Sequence, residues 1–288
     1  MKRLTVIFSA LLLLCSCSKP ADELKIISFN IRYNSWNNID GENGWPYRKD
    51  AVVKMILEEQ PAAIGLQEAL VDQLQYLDSC LPQYRRIGVG RDDGKEAGEF
   101  MAIYYDTTRL ELCGENTWWL SETPETPTKG WDAACYRTVT EAEFRDRRSG
   151  KPFVYLNTHL DHVGKTARAE GAKFISSRVL TDNLLTPHSS LKATPIILGG
   201  DMNSTIDDTI FNAFYSVGLI PAREMTDSTS NAITYNAFGG CDQSGNDGKV
   251  IDHFFVKGLK VVRFRTLDGD YGVPYISDHY PIEIIVRL

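Results

Sequence analysis

The sequence predicts an α/β fold in which two packed β-sheets carry their helices on the outside. Three observations lead there. Apolar runs of strand length recur along the whole chain, several of them alternating apolar and polar residues. Only about four stretches show a helical apolar stripe. Strands and helices also fail to alternate regularly, as a doubly wound parallel sheet would require. With 288 residues, 43% hydrophobic and 24% charged, the chain is long enough for a large globular domain. No repeat, low-complexity tract or linker interrupts it after Pro20.

The first residues are a targeting segment. Lys2 and Arg3 precede an apolar run from Leu4 to Leu14, right for a signal peptide and too short to span a bilayer. Leu14-Cys15-Ser16-Cys17 resembles a bacterial lipobox. Cys17 fits it better than Cys15, because the residue before Cys15 is the bulky Leu14. A signal peptide over residues 1–17, ending in a lipidated Cys17, would leave a short tether over 18–24 and a domain over 25–288. The expected location is then the cell envelope, anchored to a membrane on its periplasmic or surface face. Cys80, Cys113, Cys135 and Cys241 show no spacing of a disulfide framework or metal site, and read as buried or free thiols.

From Leu24, LKIISFNIRYN alternates as a strand, with Ile27, Phe29 and Ile31 on one face and Ile26, Ser28 and Asn30 on the other. Asn34 to Gly44 is a loop. Arg48 to Gln60 is a helix whose stripe of Val52, Val53, Met55, Ile56 and Leu57 stops at Pro61. Ala62 to Glu68 is a short apolar strand ending in a carboxylate. Leu70, Leu74, Leu77 and Leu81 make one helix face, closed by Pro82. Arg85 to Val89 and Phe100 to Tyr105 read as strands around the charged GRDDGKEAGEF loop.

Leu110 to Leu120 and Arg137 to Phe144 are further strands. SETPETPTKGWDAACY between them is too polar and proline-rich for regular structure, and so long a loop is expected to be functional. Phe153 to Leu160 is a strand. Thr166 to Leu185 is a helix that packs through Ala167, Phe174, Ile175, Val179 and Leu180. A strand opens at Pro195, a helix lies near Asp207 to Ser216, and a polar segment runs from Glu224 to Asn246. Val250 to Val256, Lys260 to Arg265 and Ile282 to Val286 complete the strands.

Candidate chemistry centres on PIILGGDMNS, Pro195 to Ser204. Its aliphatic run reads as a strand buried on both faces, and Gly199 and Gly200 would let the chain leave it. Asp201 and Asn203, two apart, project the same way in an extended segment. A carboxylate beside a carboxamide suits proton abstraction next to oxyanion stabilisation, although the same residues suit a turn. Polar residues recur at other strand ends: Asn30, Glu68, His159, Asp252, and Asp278 with His279. Each has a plain structural use alone. Together they form the set that hydrolysis of a phosphoester needs.

SFNIRY, LQE, NTHLDH, GGDMN, IDHFFV and SDHYP, in that order and at these intervals, resemble the endonuclease/exonuclease/phosphatase superfamily. That group includes DNase I, abasic-site endonucleases, neutral sphingomyelinases, inositol-polyphosphate 5-phosphatases and deadenylases. The resemblance runs from Leu24 to Arg287. It implies an α/β fold of the DNase I-like kind, a four-layer α/β sandwich of two packed mixed β-sheets flanked by helices. It also implies a Mg²⁺ or Mn²⁺ site between the strand ends. GRDDGKEAGEF and WLSETPE…GWDAACYR resemble a bacterial branch of metal-dependent hydrolases.

Carried over by residue, Glu68 would be the main metal ligand, with Asn30 near the ion and Asp278 closing its surroundings. His159 would hydrogen-bond the scissile phosphate, and Asn203 would stabilise the transition state. Asp201 would orient or deprotonate the attacking water. His279, held by Asp252, would act as general base or as a donor, so two candidates stand for the base. No residue suits a covalent nucleophile, so water would attack directly. Arg48, Glu99, Arg137, Asp161 and His162 are further candidates for substrate binding, and the arginines suit a second phosphate or other anionic group. The resemblance departs at His253, where an aromatic is common, and at Tyr136, where proline is expected.

The implied activity is metal-dependent hydrolysis of a phosphodiester or phosphomonoester by a monomer. A phosphorylated small molecule, a sugar phosphate or a lipid headgroup would be the substrate. Trp118, Trp119 and Trp131 flank the long loop, where they would meet a headgroup or sugar face, or pack. The balance of 31 basic to 38 acidic residues, net −7, disfavours a nuclease gripping nucleic acid. A non-catalytic binding lipoprotein on the same fold is the remaining alternative.

Overall fold

The computed structural model describes residues 23–180, 194–230, 232–241 and 249–288. The expected signal peptide, Cys17 and residues 181–185 of the expected third helix lie outside the described residues. The elements run β1 (Glu23–Asn30), α1 (Trp45–Glu59), β2 (Ala63–Gln67), α2 (Val71–Cys80), β3 (Tyr84–Ile87), β4 (Ile103–Asp106), β5 (Leu110–Trp119), β6 (Thr138–Asp146), β7 (Pro152–His159), α3 (Lys165–Leu180), β8 (Ile196–Asp201), α4 (Asn212–Ser216), β9 (Ile220–Pro221), β10 (Asp252–Lys257), β11 (Lys260–Thr266) and β12 (Ile282–Arg287).

Two six-stranded sheets form, ordered β11-β12-β1-β2-β4-β3 and β5-β6-β7-β8-β10-β9. Each holds one parallel pair at its centre, β1 with β2 and β7 with β8, flanked by antiparallel strands. A parallel strand needs a crossover, and here α1 and α3 supply the two crossovers. The alternation in the strands sends Ile26, Tyr155, Ile197 and Phe254 into one cluster between the sheets. Ile27, Phe29 and Leu66 pack outward with α1 and α2, while Leu156, Leu198 and Phe255 pack with α3 and α4. The result is the expected four-layer α/β sandwich. Each buried Ile, Leu or Phe stabilises it by roughly 1.5–3 kcal/mol, and truncation of Phe144 to alanine would remove about 3–5 kcal/mol.

A polar bridge crosses the apolar cleft just beneath the strand ends. Gln67 of β2 donates to Asn157 Oδ1 of β7 at 2.6 Å and to Ser28 Oγ at 3.1 Å. Asn157 in turn donates to the carbonyls of Leu66 and Ala102 at 2.9 Å. Buried amides need such partners, and here meeting that need fixes the register of one sheet against the other.

Several elements differ from their sequence pattern for identifiable reasons. β1 begins at Glu23, which pairs with Arg287, so the end of the expected tether is strand. α1 begins at Trp45, three residues early, because Pro46 sits in the first turn where proline is tolerated. Leu180 is exposed, while Ala167, Ile175 and Val179 are buried as expected and the small residues Gly171, Ala172 and Ser176 join them. Gly199 and Gly200 do not let the chain leave the strand. Both lie within β8, where a Cβ at Gly199 would sit 2.6 Å from Phe254 and one at Gly200 2.0 Å from the Thr158 carbonyl oxygen. Close approach, not a turn, requires glycine there.

Candidate active site

The strand register lines up polar side chains along the rim of each sheet. In the second sheet, His159 ends β7 and pairs with Asp201 at the end of β8, while Asp252 opens β10 opposite Asp201. Arg137 immediately precedes β6, next to β7. In the first sheet, Asn30 ends β1 opposite Gln67, Glu68 follows β2, and Asp278 and His279 lie just before β12. The two rims face each other across a cavity of about 540 Å³. Glu68 and Asn203 both adopt positive φ, +63° and +48°. Neither is glycine, and such strain persists where surrounding structure holds a side chain in place.

Two of the three histidines lining this cavity, His159 and His279, are equally buried, each about 4% exposed, and have opposite surroundings. His159 Nε2 is 2.9 Å from the Asn203 amide nitrogen and 3.4 Å from Asp201. Burial, reinforced by the Arg137 and Arg91 charges, holds its pKa well below the usual histidine value. His159 is therefore neutral, and Asn203 donates to Nε2. His279 Nδ1 meets Asp252 Oδ2 at 2.8 Å, with Nε2 3.7 Å from Asp201. Burial works against its charge, but the Asp252 and Asp201 carboxylates outweigh it and push it up to about 10. Asp201 itself is pushed up to about 7, first by burial and then by Asp252. It accepts from Asn30 Nδ2 at 3.0 Å and from the Asn203 backbone N–H at 2.9 Å.

Glu68 and Asp278 face one space. Asn30 Nδ2 donates to Glu68 Oε1 at 2.9 Å, and the Tyr33 N–H reaches Glu68 Oε2 at 3.3 Å. Arg32 stands between the two acids, 3.9 Å from a carboxylate oxygen of each, with its guanidinium forked onto Asp40. Burial, with Glu68 repulsion, raises the Asp278 pKa despite the neighbouring positive charges. Two hard carboxylates with only a distant cation between them suit a divalent ion such as Mg²⁺. In this rotamer Asn30 turns its NH₂ to Glu68 and Asp201 and its oxygen to the Arg32 N–H, so it orients Glu68. Asp201, Asp252 and His279 also bring potential ligand atoms within 4.8 Å of one another. Their nearest contact is already closed by the Asp252–His279 hydrogen bond.

On the cavity wall where Phe100 pairs with Ala69, next to Glu68, Arg91 forks onto Glu99 at 2.5 and 2.8 Å. Burial raises Glu99 to about 7 against that pairing. Asp161 accepts the N–H groups of Val163, Gly164, Ala134 and Cys135, and Arg137 Nε at 3.1 Å. Arg137 Nη2 meets His162 Nδ1 at 2.8 Å.

Arg48 is a correction to the sequence reading. It is 1% exposed and donates to the carbonyls of Ile31, Arg32, Asn43 and Ile276. These bonds tie the loops beneath Glu68 and Asp278 together, and Arg48 does not line the cavity. His253 likewise turns away, its Nε2 2.9 Å from the Ser204 carbonyl and its ring edge-on to Phe211. Trp119 donates to the Arg91 carbonyl, and Trp118 donates to Glu141 beneath Arg178. Both pack. The four described cysteines are free; Cys113 is exposed and none is fully buried.

Arg32, Tyr33, Arg91, Tyr235 and Lys249 also line the cavity and were missed from sequence. Arg32 and Tyr33 lie within SFNIRY and Arg91 within GRDDGKEAGEF, so those motifs held a signal. Tyr235, whose ring meets His279 edge-on at 5.1 Å, and Lys249 lie in or near a polar segment with no periodicity to mark them.

The sequence profile described as the Endonuclease/Exonuclease/phosphatase family matches residues 27–279. An endonuclease/exonuclease/phosphatase structure from Bacteroides vulgatus is similar at 32% identity, covering 92% of this chain and 99% of that one, with a TM-score of 0.83. The Bacteroides thetaiotaomicron mannosyl-6-phosphatase is similar at 32% identity, covering 92% and 100%, again with a TM-score of 0.83. An uncharacterised protein of Acanthamoeba polyphaga mimivirus is 24% identical over 279 residues, 91% of this chain and 99% of that protein.

Proposed function

Because this chain belongs to the endonuclease/exonuclease/phosphatase family, we propose that it is a Mg²⁺- or Mn²⁺-dependent phosphoesterase. Its substrate is a small sugar phosphate; water attacks phosphorus directly as the P–O bond to the sugar breaks, and the sugar leaves as its hydroxyl, so that the proton lost by the water balances the one gained by the leaving oxygen. The observation that carries this reading is the convergence of Glu68, Asp278, His159, Asp201, Asn203 and His279 from both sheet rims on one cavity, with Asn30 and Asp252 hydrogen-bonded behind them. The similarity to a mannosyl-6-phosphatase supports the substrate class. The net charge of −7 supports it over nucleic acid.

Glu68 and Asp278 would hold the cation, with Asn30 turning Glu68 toward it. Bound there, the ion supplies Lewis acidity and neutralises phosphate charge. Asp201, fixed by Asn30 and the Asn203 N–H, orients the attacking water and accepts its proton. His279, kept charged by Asp252, donates to a phosphoryl oxygen as negative charge grows there. His159 and Asn203, joined by their hydrogen bond, address the same phosphoryl group from the other side. The neutral His159 accepts from Asn203 at Nε2 and so holds that amide in place without adding a second cation.

A panel of mannose 6-phosphate, other sugar phosphates, a phosphocholine diester and an oligonucleotide, each with Mg²⁺, Mn²⁺ or chelator, tests the reading. Metal-dependent release of phosphate from sugar phosphates is expected. Selective cleavage of the oligonucleotide would replace this reading with a nuclease. We place the enzyme at the cell envelope through lipidated Cys17. Cys17→Ser should move it from the membrane fraction to the soluble one, and an unchanged distribution would remove the anchor.

A further inference from the structure

Beyond His159 the cavity continues into a part that the proposed chemistry does not use, and one side chain there is held in an unusual way. Arg137 is 4% exposed, and two of its three guanidinium nitrogens are committed. Nε donates to Asp161 Oδ2 and Nη2 to His162 Nδ1. The clamp is itself braced, because Asp161 accepts four backbone N–H groups from the 134–135 and 163–164 segments. Among the described residues Nη1 has no partner, though it is buried in a residue that lines the cavity. An unmet buried guanidinium N–H is unfavourable in a finished structure, so its partner is expected to be a ligand.

The position separates this group from the reacting centre. Along the second rim the strands run β6, β7, β8, β10, carrying Arg137, His159, Asp201 and Asp252 in that order. At the spacing of neighbouring strands, the Arg137 backbone lies roughly 10 Å from that of Asp201. The charge balance of this end is also informative. Arg137 is paired with Asp161, and Arg91 with Glu99. A second phosphate would meet two arginines each already held by a carboxylate. A hydroxyl-rich neutral group would instead meet fixed donors beside a carboxylate acceptor, the mixture that hydroxyls, at once donors and acceptors, require.

We infer that Arg137, clamped by Asp161 and His162, is the centre of a subsite that binds the hydroxyls of the substrate's sugar, two strands away from Asp201, with the Arg91–Glu99 pair on the cavity wall between it and Glu68. This rests on the sugar-phosphate reading and adds the residues that select the sugar. Arg137 is a specificity residue, and Asp161 and His162 position it. Lysine would not replace it, since one ammonium cannot be clamped at two nitrogens while presenting a third.

The test is calorimetric binding of mannose 6-phosphate and of inorganic phosphate to the Mn²⁺-loaded protein, alongside turnover of mannose 6-phosphate and phenyl phosphate. The parent should bind the sugar phosphate at least about ten-fold more tightly than phosphate, as a charge-assisted hydrogen bond allows. Arg137→Gln should remove about ten- to a hundred-fold of that affinity, leave phosphate binding within about three-fold, and act on KM more than kcat. His162→Gln, at an exposed side chain that folding does not need, should weaken mannose 6-phosphate binding by less than Arg137→Gln does and likewise leave phosphate binding within about three-fold. Equal weakening toward both ligands, equal loss on both esters, or no preference of the parent for the sugar phosphate would overturn the subsite. If the parent binds mannose 6-phosphate selectively through Arg137 but does not hydrolyse it, the subsite stands and the proposed activity fails.

Discussion

The two sheets are wired identically, each with a central parallel pair between antiparallel strands, yet their rims carry different chemistry. The first sheet offers Asn30, Glu68 and Asp278, mostly oxygen donors facing Arg32. The second offers His159, Asn203 and Asp201, joined by hydrogen bonds, and Asp252, groups able to place and accept protons. His279 crosses between them, since it precedes a strand of the first sheet and bonds Asp252 of the second. Topology therefore places the side chains, and their neighbours decide what each does. His159 and His279 make the same point: at equal burial their pKa values move in opposite directions, because arginine charges reinforce burial at His159 while the Asp252 and Asp201 carboxylates outweigh it at His279.

The largest effects should separate the two rims. Glu68→Gln should lower kcat on the order of a thousand-fold or more and abolish Mn²⁺ binding measured by electron paramagnetic resonance, as loss of a hard ligand requires. Asp201→Asn should lower kcat by about a hundred- to a thousand-fold while retaining Mn²⁺ binding. Loss of the metal in both variants would merge the rims into one site. Next in size is the pair that bridges them. His279→Ala, Asp252→Ala and the double variant should each lose about a hundred-fold in kcat, without multiplying, because groups acting as a unit are not additive. An Asp252→Ala enzyme with near-normal turnover and a lowered melting temperature would make Asp252 a structural carboxylate.

Strand-end residues were legible because a polar side chain closing an apolar run stands out locally, as at Asn30, Glu68, His159 and Asp201. The layered fold was legible for the same local reason, through alternation and helical stripes. What could not be read depends on distant partners. Arg48 looks like a surface or binding residue in its own helix, and only the loops at residues 31–32, 43 and 276 supply the carbonyls that hold it. Arg32 gains meaning only when Glu68 and Asp278 arrive beside it. β9, with two residues, is too short for any period, and Gly200 is explained by a carbonyl from β7.

Arg48→Met sharpens the contrast between framework and rim. Its removal leaves several carbonyls without donors, so stability should fall by about 2–4 kcal/mol in denaturant titration, with kcat on folded protein largely kept. A large fall in kcat at unchanged stability would return Arg48 to the substrate site. The smallest effect concerns the outer faces of the sheets. Glu283 is fully buried in the first sheet, where the Arg265 hydrogen bond and Lys25 outweigh burial and hold it at about 2. Its folded pKa lies below its ordinary 4.5, so its contribution is present above about pH 4.5 and lost as pH falls through about 2. Glu141 of the second sheet is raised, because burial there outweighs Arg178. Glu283→Gln should thus reduce stability at pH 7 by on the order of 2–3 kcal/mol and converge with the parent in acid. Glu141→Gln should not show that convergence. Parallel pH profiles for the two variants would remove the distinction.

The most direct test of the whole account is exhaustive dialysis against chelator, followed by assay of sugar-phosphate hydrolysis with and without added Mg²⁺ or Mn²⁺. The account predicts that activity vanishes on dialysis, returns with either ion in the parent, and does not return in Glu68→Gln. Full activity in the dialysed parent, with no response to added metal, would contradict it.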